Sequence, residues 1–527
     1  MACGQRRSRR FHFESDPNGR DEWAQELNPD IREIARRGQV DLFSTLEESA
    51  KPWGGDAAVV HGNSTLSYAD LYEAARRMAS KLRSAGVRRG DKIGLLCPND
   101  PAYIVASLAV LHAQAIVVTA SPGLQSGDVL KLAEDIKLDA FLTSDGFKTL
   151  VPNEYAGSMT EVSVAQEGER LYLCLAKVRT TPSNERQALV GLKTATIRFS
   201  SGTLSDAKGI LLSHATVLHR LNGYDRNVPP FKDDKIYWLQ PIATTLAGLY
   251  VFLLRGATVI LGHALDPQYF ARIIAKQRIT QVYAAPLFYR MMVNDKSLTA
   301  HDLAGVKYLV STGSSLPPGV AQSFCEKFGR EILECYGLAE CGRVLVNFAE
   351  DRRKRGSVGK PALGYEVRLV TGPDLASGPE AVGELYVRGP GLFDAYYKPW
   401  RLREAVLEDG WFKTGDVARR DEDGFYWIVG RVKEVINVGG LKVFPSEIEA
   451  LVLSYPAVDE AVVYGMPDAR FGEVPQASIK LHTGANCTPA ELLRYVNEHL
   501  PPLSALRRVR FVTEIPKTPT GKAKRRR

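Results

Sequence analysis

Cysteine is scarce and scattered. The seven residues Cys3, Cys97, Cys174, Cys325, Cys335, Cys341 and Cys487 include no CxxC pair. An odd, dispersed set excludes a disulfide framework and fits reduced thiols in a cytoplasmic protein. Cys335 and Cys341 flank one motif, but too few further ligands lie near them for a metal site. No apolar run is clean enough for a transmembrane segment. The longest, YIVASLAVLHAQAIVVTA from Tyr103 to Ala120, contains His112 and Gln114 and reads as a buried helix feeding a buried strand. No apolar stretch follows the basic N-terminus, so it is not a secretory signal. Repeats and low-complexity runs are missing too. A cationic body is also lacking. The net charge is +8, yet Arg6, Arg7, Arg9, Arg10, Lys522, Lys524, Arg525, Arg526 and Arg527 crowd the two ends. The rest is near neutral, which argues against a nucleic-acid partner and leaves solvated basic tails.

What is present is an ordinary globular balance, 45% hydrophobic and 24% charged over 527 residues, enough for two or more domains. Residues 1–40 are polar and irregular and read as a leader. From Asp41 onward helical and strand patterns alternate. LSYADLYEAARRMASKLRSAGV places Leu71, Ala74, Ala75, Met78 and Leu82 at helical spacing. FKDDKIYWLQP, GATVILG, ITQVYAAP and VKYLVSTGSSLPP read as short strands, with DPQYFARIIAKQ and GVAQSFCEKFG as helices between them. This alternation predicts α/β layers with mostly parallel sheets, which bind ligands at the carboxyl ends of their strands. After Pro361 the strands EVRLV, GELYVRG, GWFKTGD, DGFYWIVGR and VINVGG crowd together, predicting a β-rich subdomain over 361–430 inside a large N-terminal domain, 41–430. Residues 431–527 read as a small, mobile α+β C-terminal domain. Its hinge is Gly430-Arg431-Val432-Lys433.

Five stretches bear chemistry. RFSSGTLSDAKGILLSH, Arg198 to His214, is a strand, a Ser/Gly turn suited to phosphate, and a second strand. In ECYGLAE, Tyr336 followed by Gly337 lets a flat ring and a close backbone meet a purine, and Glu340 suits Mg²⁺ on phosphate oxygens. In GWFKTGDVA, Asp416 after a Gly turn can accept from two sugar hydroxyls, although such aspartates usually only close the turn. GRVKEVINVGGLKVFPSEIE, Gly430 to Glu449, carries the rigid Arg431 fork and Gly439-Gly440. PKTPTGKAKR sets Lys522 after a glycine in a basic end.

In order and spacing these stretches resemble the adenylate-forming superfamily: acyl- and aryl-CoA synthetases, firefly luciferase and peptide-synthetase adenylation domains. The resemblance runs from about Asp41 to Lys522. It implies ATP-dependent activation of a small carboxylic acid as an acyl-adenylate. Transfer to the thiol of coenzyme A, or to the phosphopantetheine of an acyl carrier protein, follows after the C-terminal domain swings. By position it implies that Ser200, Ser201, Gly202, Thr203, Lys208 and Gly209 hold phosphate. Gly313, Ser314 and Ser315 line the adenine pocket, with Tyr336 and Gly337 against the base. Glu340 helps hold Mg²⁺, and Asp416 and Arg431 grip the ribose. Lys433 is the hinge, and Lys522 drives adenylation. Thr244, Thr245 and Gly248 lie in the acid pocket. Gly439 and Gly440 edge the pantetheine tunnel beside Lys442.

The chain departs from the family pattern at Leu204, Ser205 and Ala207 in the phosphate loop and at Ala339 before Glu340. Two hydroxyls that could meet phosphate are gone. Each hydrogen bond to a charged group is worth about 1.5–3 kcal/mol, so their loss predicts slower adenylation. The expectation is an acid–thiol ligase for an aryl or medium-chain acid. The alternatives are an acyltransferase that uses only the thioester half, a non-enzymatic binder of acyl-nucleotide or CoA, and luciferase-like oxidation of the adenylate.

Overall fold

The computed structural model describes residues 41–120, 123–157, 159–162, 170–177, 181–199, 208–222, 232–262, 266–347, 352–371 and 381–516. The expected alternation becomes two large sheets. The first has six parallel strands at its centre, in the order Leu333–Leu338, Tyr308–Ser311, Gln281–Ala284, Lys235–Trp238, Thr258–Leu261 and Ala57–His61. Antiparallel strands extend both of its edges. The second orders Thr194–Phe199, Ile116–Thr119, Lys92–Leu96 and Ala140–Ser144 in parallel at its centre, with Gly209–Ser213 antiparallel to Thr194–Phe199.

The long apolar run divides as its polar interruptions predict. Helix Pro101–His112 is capped by the Asp100 carboxylate, and strand Ile116–Thr119 follows. Gln114 makes the turn between them with φ 59°. Tyr103 through Leu111 are all buried, so the apolarity serves a core contact. Among the described residues no helix is long and apolar enough to cross a membrane. Helix Tyr68–Ser84 starts on the Ser67 cap and buries Leu71, Ala74, Ala75, Met78 and Leu82, one face at 3.6-residue spacing. It shares the main core with Pro101–His112 and the almost wholly apolar Ile242–Leu254.

A four-stranded antiparallel sheet follows: Glu366–Val370, Ala381–Arg388, Phe412–Arg420 and Tyr426–Arg431. Leu385, Val387, Phe412 and Ala418 join the main core, so this sheet is welded to the large sheets. One run grouped with these strands by its spacing lies past residue 430 and joins the C-terminal sheet. VINVGG forms Ile436–Val438, which pairs with Leu441–Val443 and with Gly472–Leu481 in the C-terminal sheet. Its apolar side chains Ile436 and Val438 face that sheet's own core, with Ile448, Val463, Ile479 and Val496. Between the two sheets lies only a single 3₁₀ turn, Val432–Glu434.

Candidate functional site

The site forms where strand ends of the two large sheets meet the four-stranded sheet. Strand Leu333–Leu338 turns back as a hairpin into Gly342–Val346, not into a helix as a strand-to-helix turn would require. Gly337 sits at the bulge of that hairpin. A β-carbon there would lie 2.2 Å from the Gly342 carbonyl oxygen, so only glycine lets the strands close. This fixes the backbone beside Tyr336.

Tyr336 donates its hydroxyl to Asp416 Oδ2 at 2.5 Å, and Arg431 Nε meets Asp416 Oδ1 at 2.9 Å. Asp416 and Arg431 are direct cross-strand partners, which sets their distance through the sheet register. Asp416 is 4% exposed. Burial and the facing carboxylate hold the Tyr336 phenol well above its ordinary range, so it remains a donor. Three residues expected around the nucleoside are therefore one hydrogen-bonded chain.

A second group gathers at the other end of the same hairpin. Tyr396 donates to Glu340 Oε1 at 3.1 Å, and Lys208 Nζ stands 4.7 Å from the centre of the Tyr396 ring. Glu340 Oε2 has no hydrogen-bond or ion-pair partner among the described residues, and Lys208 no ion pair. The Glu340 backbone is clamped: its carbonyl accepts from Phe393 N at 2.7 Å and from Arg220 Nη2 at 2.8 Å. Arg220 also reaches the carbonyls of Ala339 and Gly391. It is buried, and its Nη1 has no partner among the described residues. Gly209 lies beside this group. Its carbonyl accepts from Tyr397 N, and a β-carbon there would press within 2.9 Å of Tyr397 Cβ.

Gly313 follows strand Tyr308–Ser311 with φ +93°, and Gly313, Ser314 and Ser315 are exposed. Near them, Gln240 Nε2, Ser311 Oγ and Trp238 Nε1 are buried without partners among the described residues. Buried polar atoms that find no protein partner at strand ends mark a place built to meet a ligand. Thr244 and Thr245 return their hydroxyls to the Pro241 carbonyl. The neighbours Ala243, Leu246 and Ala247, rather than Thr244, Thr245 or Gly248, line a narrow gap on the side of the second sheet, with room for about one water. Gly439 and Gly440, at φ +58° and +93°, form a two-residue hairpin turn in the C-terminal sheet, which by itself demands glycine. Lys442 is on the following strand, and Lys433 lies exposed in the 3₁₀ turn beside Arg431. Ser200, Ser201, Gly202, Thr203 and Lys522 lie outside the described residues, as do Leu204, Ser205 and Ala207.

Sequence reasoning missed Arg198, Arg220 and Tyr396. A lone arginine in the otherwise apolar ATIRF strand was a usable signal for Arg198. Nothing in FDAYYKP distinguishes Tyr396.

For magnesium, one free carboxylate oxygen is a fitting donor set, because the ion is commonly held by one or two carboxylates with substrate phosphates. Among the described residues no cluster of three acidic, His or Cys side chains offers a protein-only metal cage.

The model of the AMP-binding enzyme family matches residues 46–397, and that of the AMP-binding enzyme C-terminal domain matches 447–522. Peroxisomal OPC-8:0-CoA ligase 1 of Arabidopsis thaliana is 30% identical over 492 residues, 88% of this chain and 87% of its own. Feruloyl-CoA synthase of an Amycolatopsis species is 29% identical over 472 residues, 88% of this chain and 94% of its own. Among solved structures, ATP-bound MatB of Rhodopseudomonas palustris superposes with a TM-score of 0.79 at 24% identity, covering 92% of this chain and 97% of that one.

Proposed function

Because this chain belongs to the AMP-binding enzymes of the adenylate-forming superfamily, we propose that it is an acid–thiol ligase. It joins an aryl or medium-chain carboxylic acid to the thiol of coenzyme A through an acyl-adenylate. The observation that carries this reading is the pairing of two groups across one hairpin. Tyr336–Asp416–Arg431 is built for a nucleoside, and Lys208–Tyr396–Glu340 for phosphate. Relatives named for CoA ligation along most of their length support it.

In the first half-reaction the acid's carboxylate oxygen attacks the α-phosphorus of ATP and pyrophosphate leaves. A carboxylate has about four acceptor positions, two on each oxygen, so Asp416 can meet both ribose hydroxyls while it keeps Tyr336 and Arg431. The Tyr336 ring lies against the base. Lys208 and Lys522 meet the negative charge that grows on phosphate oxygens. Magnesium, when bound, neutralises phosphate charge, and Glu340 is the side chain that would hold it. In the second half-reaction the thiolate attacks the acyl carbonyl and AMP leaves. Rotation at Lys433 replaces the Lys522 end by the Gly439–Gly440 hairpin, which lets the thiol arm in.

Acid-dependent pyrophosphate release, followed by thioester formation with coenzyme A, tests the reading. Absence of pyrophosphate release with every acid tried, together with acyl transfer from an acyl-CoA to a carrier protein, would favour the acyltransferase. Binding without turnover would leave a non-enzymatic binder. Transfer of the adenylate to a carrier protein in place of coenzyme A would change the acceptor only.

A further inference from the structure

The run FDAYYKP places two tyrosines side by side, and the sheet sends them opposite ways. Tyr396 pairs with Ile210 on the strand that follows the phosphate loop, and Tyr397 N donates to the Gly209 carbonyl. Adjacent side chains of an extended chain leave it on opposite faces. Tyr397 turns to a buried anchor. Its hydroxyl accepts from Lys92 Nζ at 2.8 Å and stands 2.8 Å from the Ile136 carbonyl, and the fully buried Lys92 meets Glu185 at 2.6 Å. Tyr396, itself buried, turns to the phosphate side, where its hydroxyl donates to Glu340 Oε1 at 3.1 Å. Phe393 seats both partners. Its ring centre lies 4.5 Å from that of Tyr396, and its backbone N–H donates to the Glu340 carbonyl at 2.7 Å. A carboxylate gripped at its backbone and at one oxygen presents its other oxygen in a fixed direction.

That grip matters because divalent cations use carboxylates differently. Magnesium keeps several waters and takes one or two carboxylates beside substrate phosphates, whereas calcium gathers about 6–8 oxygens and readily takes both oxygens of one carboxylate. We propose that Tyr396 selects magnesium over calcium at this site, by keeping Oε1 occupied so that Glu340 meets the cation through Oε2 alone. This rests on the ligase reading, which brings the phosphates, and deepens it. A cation seated on both oxygens would meet the Tyr396 hydroxyl hydrogen on Oε1, and Lys208 Nζ, 4.7 Å from the Tyr396 ring centre, adds positive charge on that side. Among the described residues no cluster of three His, Cys, Asp or Glu side chains gathers, so the selection falls on this one carboxylate. Tyr396 is thus a positioning residue, acting through Glu340.

Calorimetry of α,β-methylene-ATP, which cannot turn over, tests this at matched free Mg²⁺ or Ca²⁺. Wild type should bind the nucleotide about tenfold tighter with magnesium than with calcium, a ratio within reach of one hydrogen bond to a charged group. Tyr396→Phe keeps the ring against Phe393 and Lys208 but frees Oε1. It should gain affinity in calcium and bring the ratio to within about threefold, whereas a merely structural loss would weaken both alike. Glu340→Gln should abolish the preference. A folded Tyr396→Phe protein with the wild-type ratio overturns the proposal, as does a wild type with no preference or a Glu340→Gln protein that retains it. If Tyr396→Phe fails to fold, Glu340→Asp decides: it withdraws the carboxylate from the Tyr396 hydroxyl by one methylene, and an undiminished ratio overturns the assignment. Pyrophosphate release by wild type is read separately. Its absence with every acid tried, alongside a magnesium preference that Tyr396→Phe erases, would sink the ligase reading and leave the Tyr396 assignment standing.

Discussion

Replacing Asp416 by asparagine isolates charge at the centre of the nucleoside group. The amide keeps the shape and one acceptor oxygen, but it cannot offer four lone-pair positions to Tyr336, Arg431 and two ribose hydroxyls. Hydrogen bonds to a carboxylate are worth about 1.5–3 kcal/mol each, roughly twice those to a neutral acceptor. Two ribose contacts weakened by half cost about 1.5–3 kcal/mol, or roughly 10- to 150-fold in KM for ATP. The Arg431 ion pair adds little to that sum, since Arg431 is 40% exposed and water replaces its partner. The assay is initial-rate pyrophosphate release at saturating acid with ATP varied, with the melting temperature measured to confirm folding. Tyr336→Phe is the companion: it removes one donor to Asp416 but keeps the ring against the base, so KM for ATP should rise less than about tenfold. A folded Asp416→Asn protein with the wild-type KM for ATP would refute the ribose assignment.

Lys522→Ala should reduce acyl-adenylate formation by about 10²-fold or more while sparing thioester formation from supplied acyl-adenylate. Equal loss of both half-reactions in single-turnover assays would contradict its role. Gly337→Ala drives a β-carbon against the Gly342 carbonyl and should destabilise the fold by about 1–3 kcal/mol. Denaturant titration reads that loss, and ATP binding should weaken with it. Glu334 is a buried carboxyl whose pKa rises to about 7, chiefly by desolvation, against a bond from Leu316 N. Below its unfolded pKa both states hold the proton and nothing is lost. Between about 4.5 and 7 the native state alone holds it, so stability falls as pH rises, by about 3 kcal/mol in full above 7. Glu334→Gln should therefore gain melting temperature over wild type from pH 5 to pH 8, and a constant gap would refute this.

Legibility followed the range of the interaction. Helix Tyr68–Ser84 and the split of Tyr103–Ala120 were readable because burial periodicity and caps are local. The four parallel strands from Lys235 to Ser311 were readable because each is an apolar run closed by a turn. VINVGG was grouped by spacing with the preceding strands, although it lies past residue 430, because a three-residue strand has no pattern of its own; its place is decided by Gly472–Leu481, more than thirty residues later. In the site, the motifs named Tyr336, Asp416 and Arg431 together, but their direct bonding depends on the register of two antiparallel strands. Tyr396 meets Glu340 only because Ala395–Tyr396 pairs with Gly209–Ser213 across more than 180 residues, and no local signal encodes that.

The ligase and acyltransferase readings make opposite demands on charge. A transferase working between thioesters handles a neutral acyl group and needs no triphosphate. In that protein the buried Arg220 would keep only the backbone carbonyls it donates to, with no ion pair among the described residues. A ligase brings a carboxylate and a triphosphate to the same place, and those charges find Arg198, Arg220 and Lys208 already set around Glu340. The departures at Leu204 and Ala339 remove neutral donors, which contribute about half as much per bond as a guanidinium to an anion. At Ala339 the missing hydroxyl sits beside a carbonyl that Arg220 already occupies at 3.1 Å. Arg220→Leu should therefore lower adenylation more than Ala339→Thr raises it. If Ala339→Thr alone restores more than about tenfold in the first half-reaction, neutral hydroxyls and not these arginines limit the step.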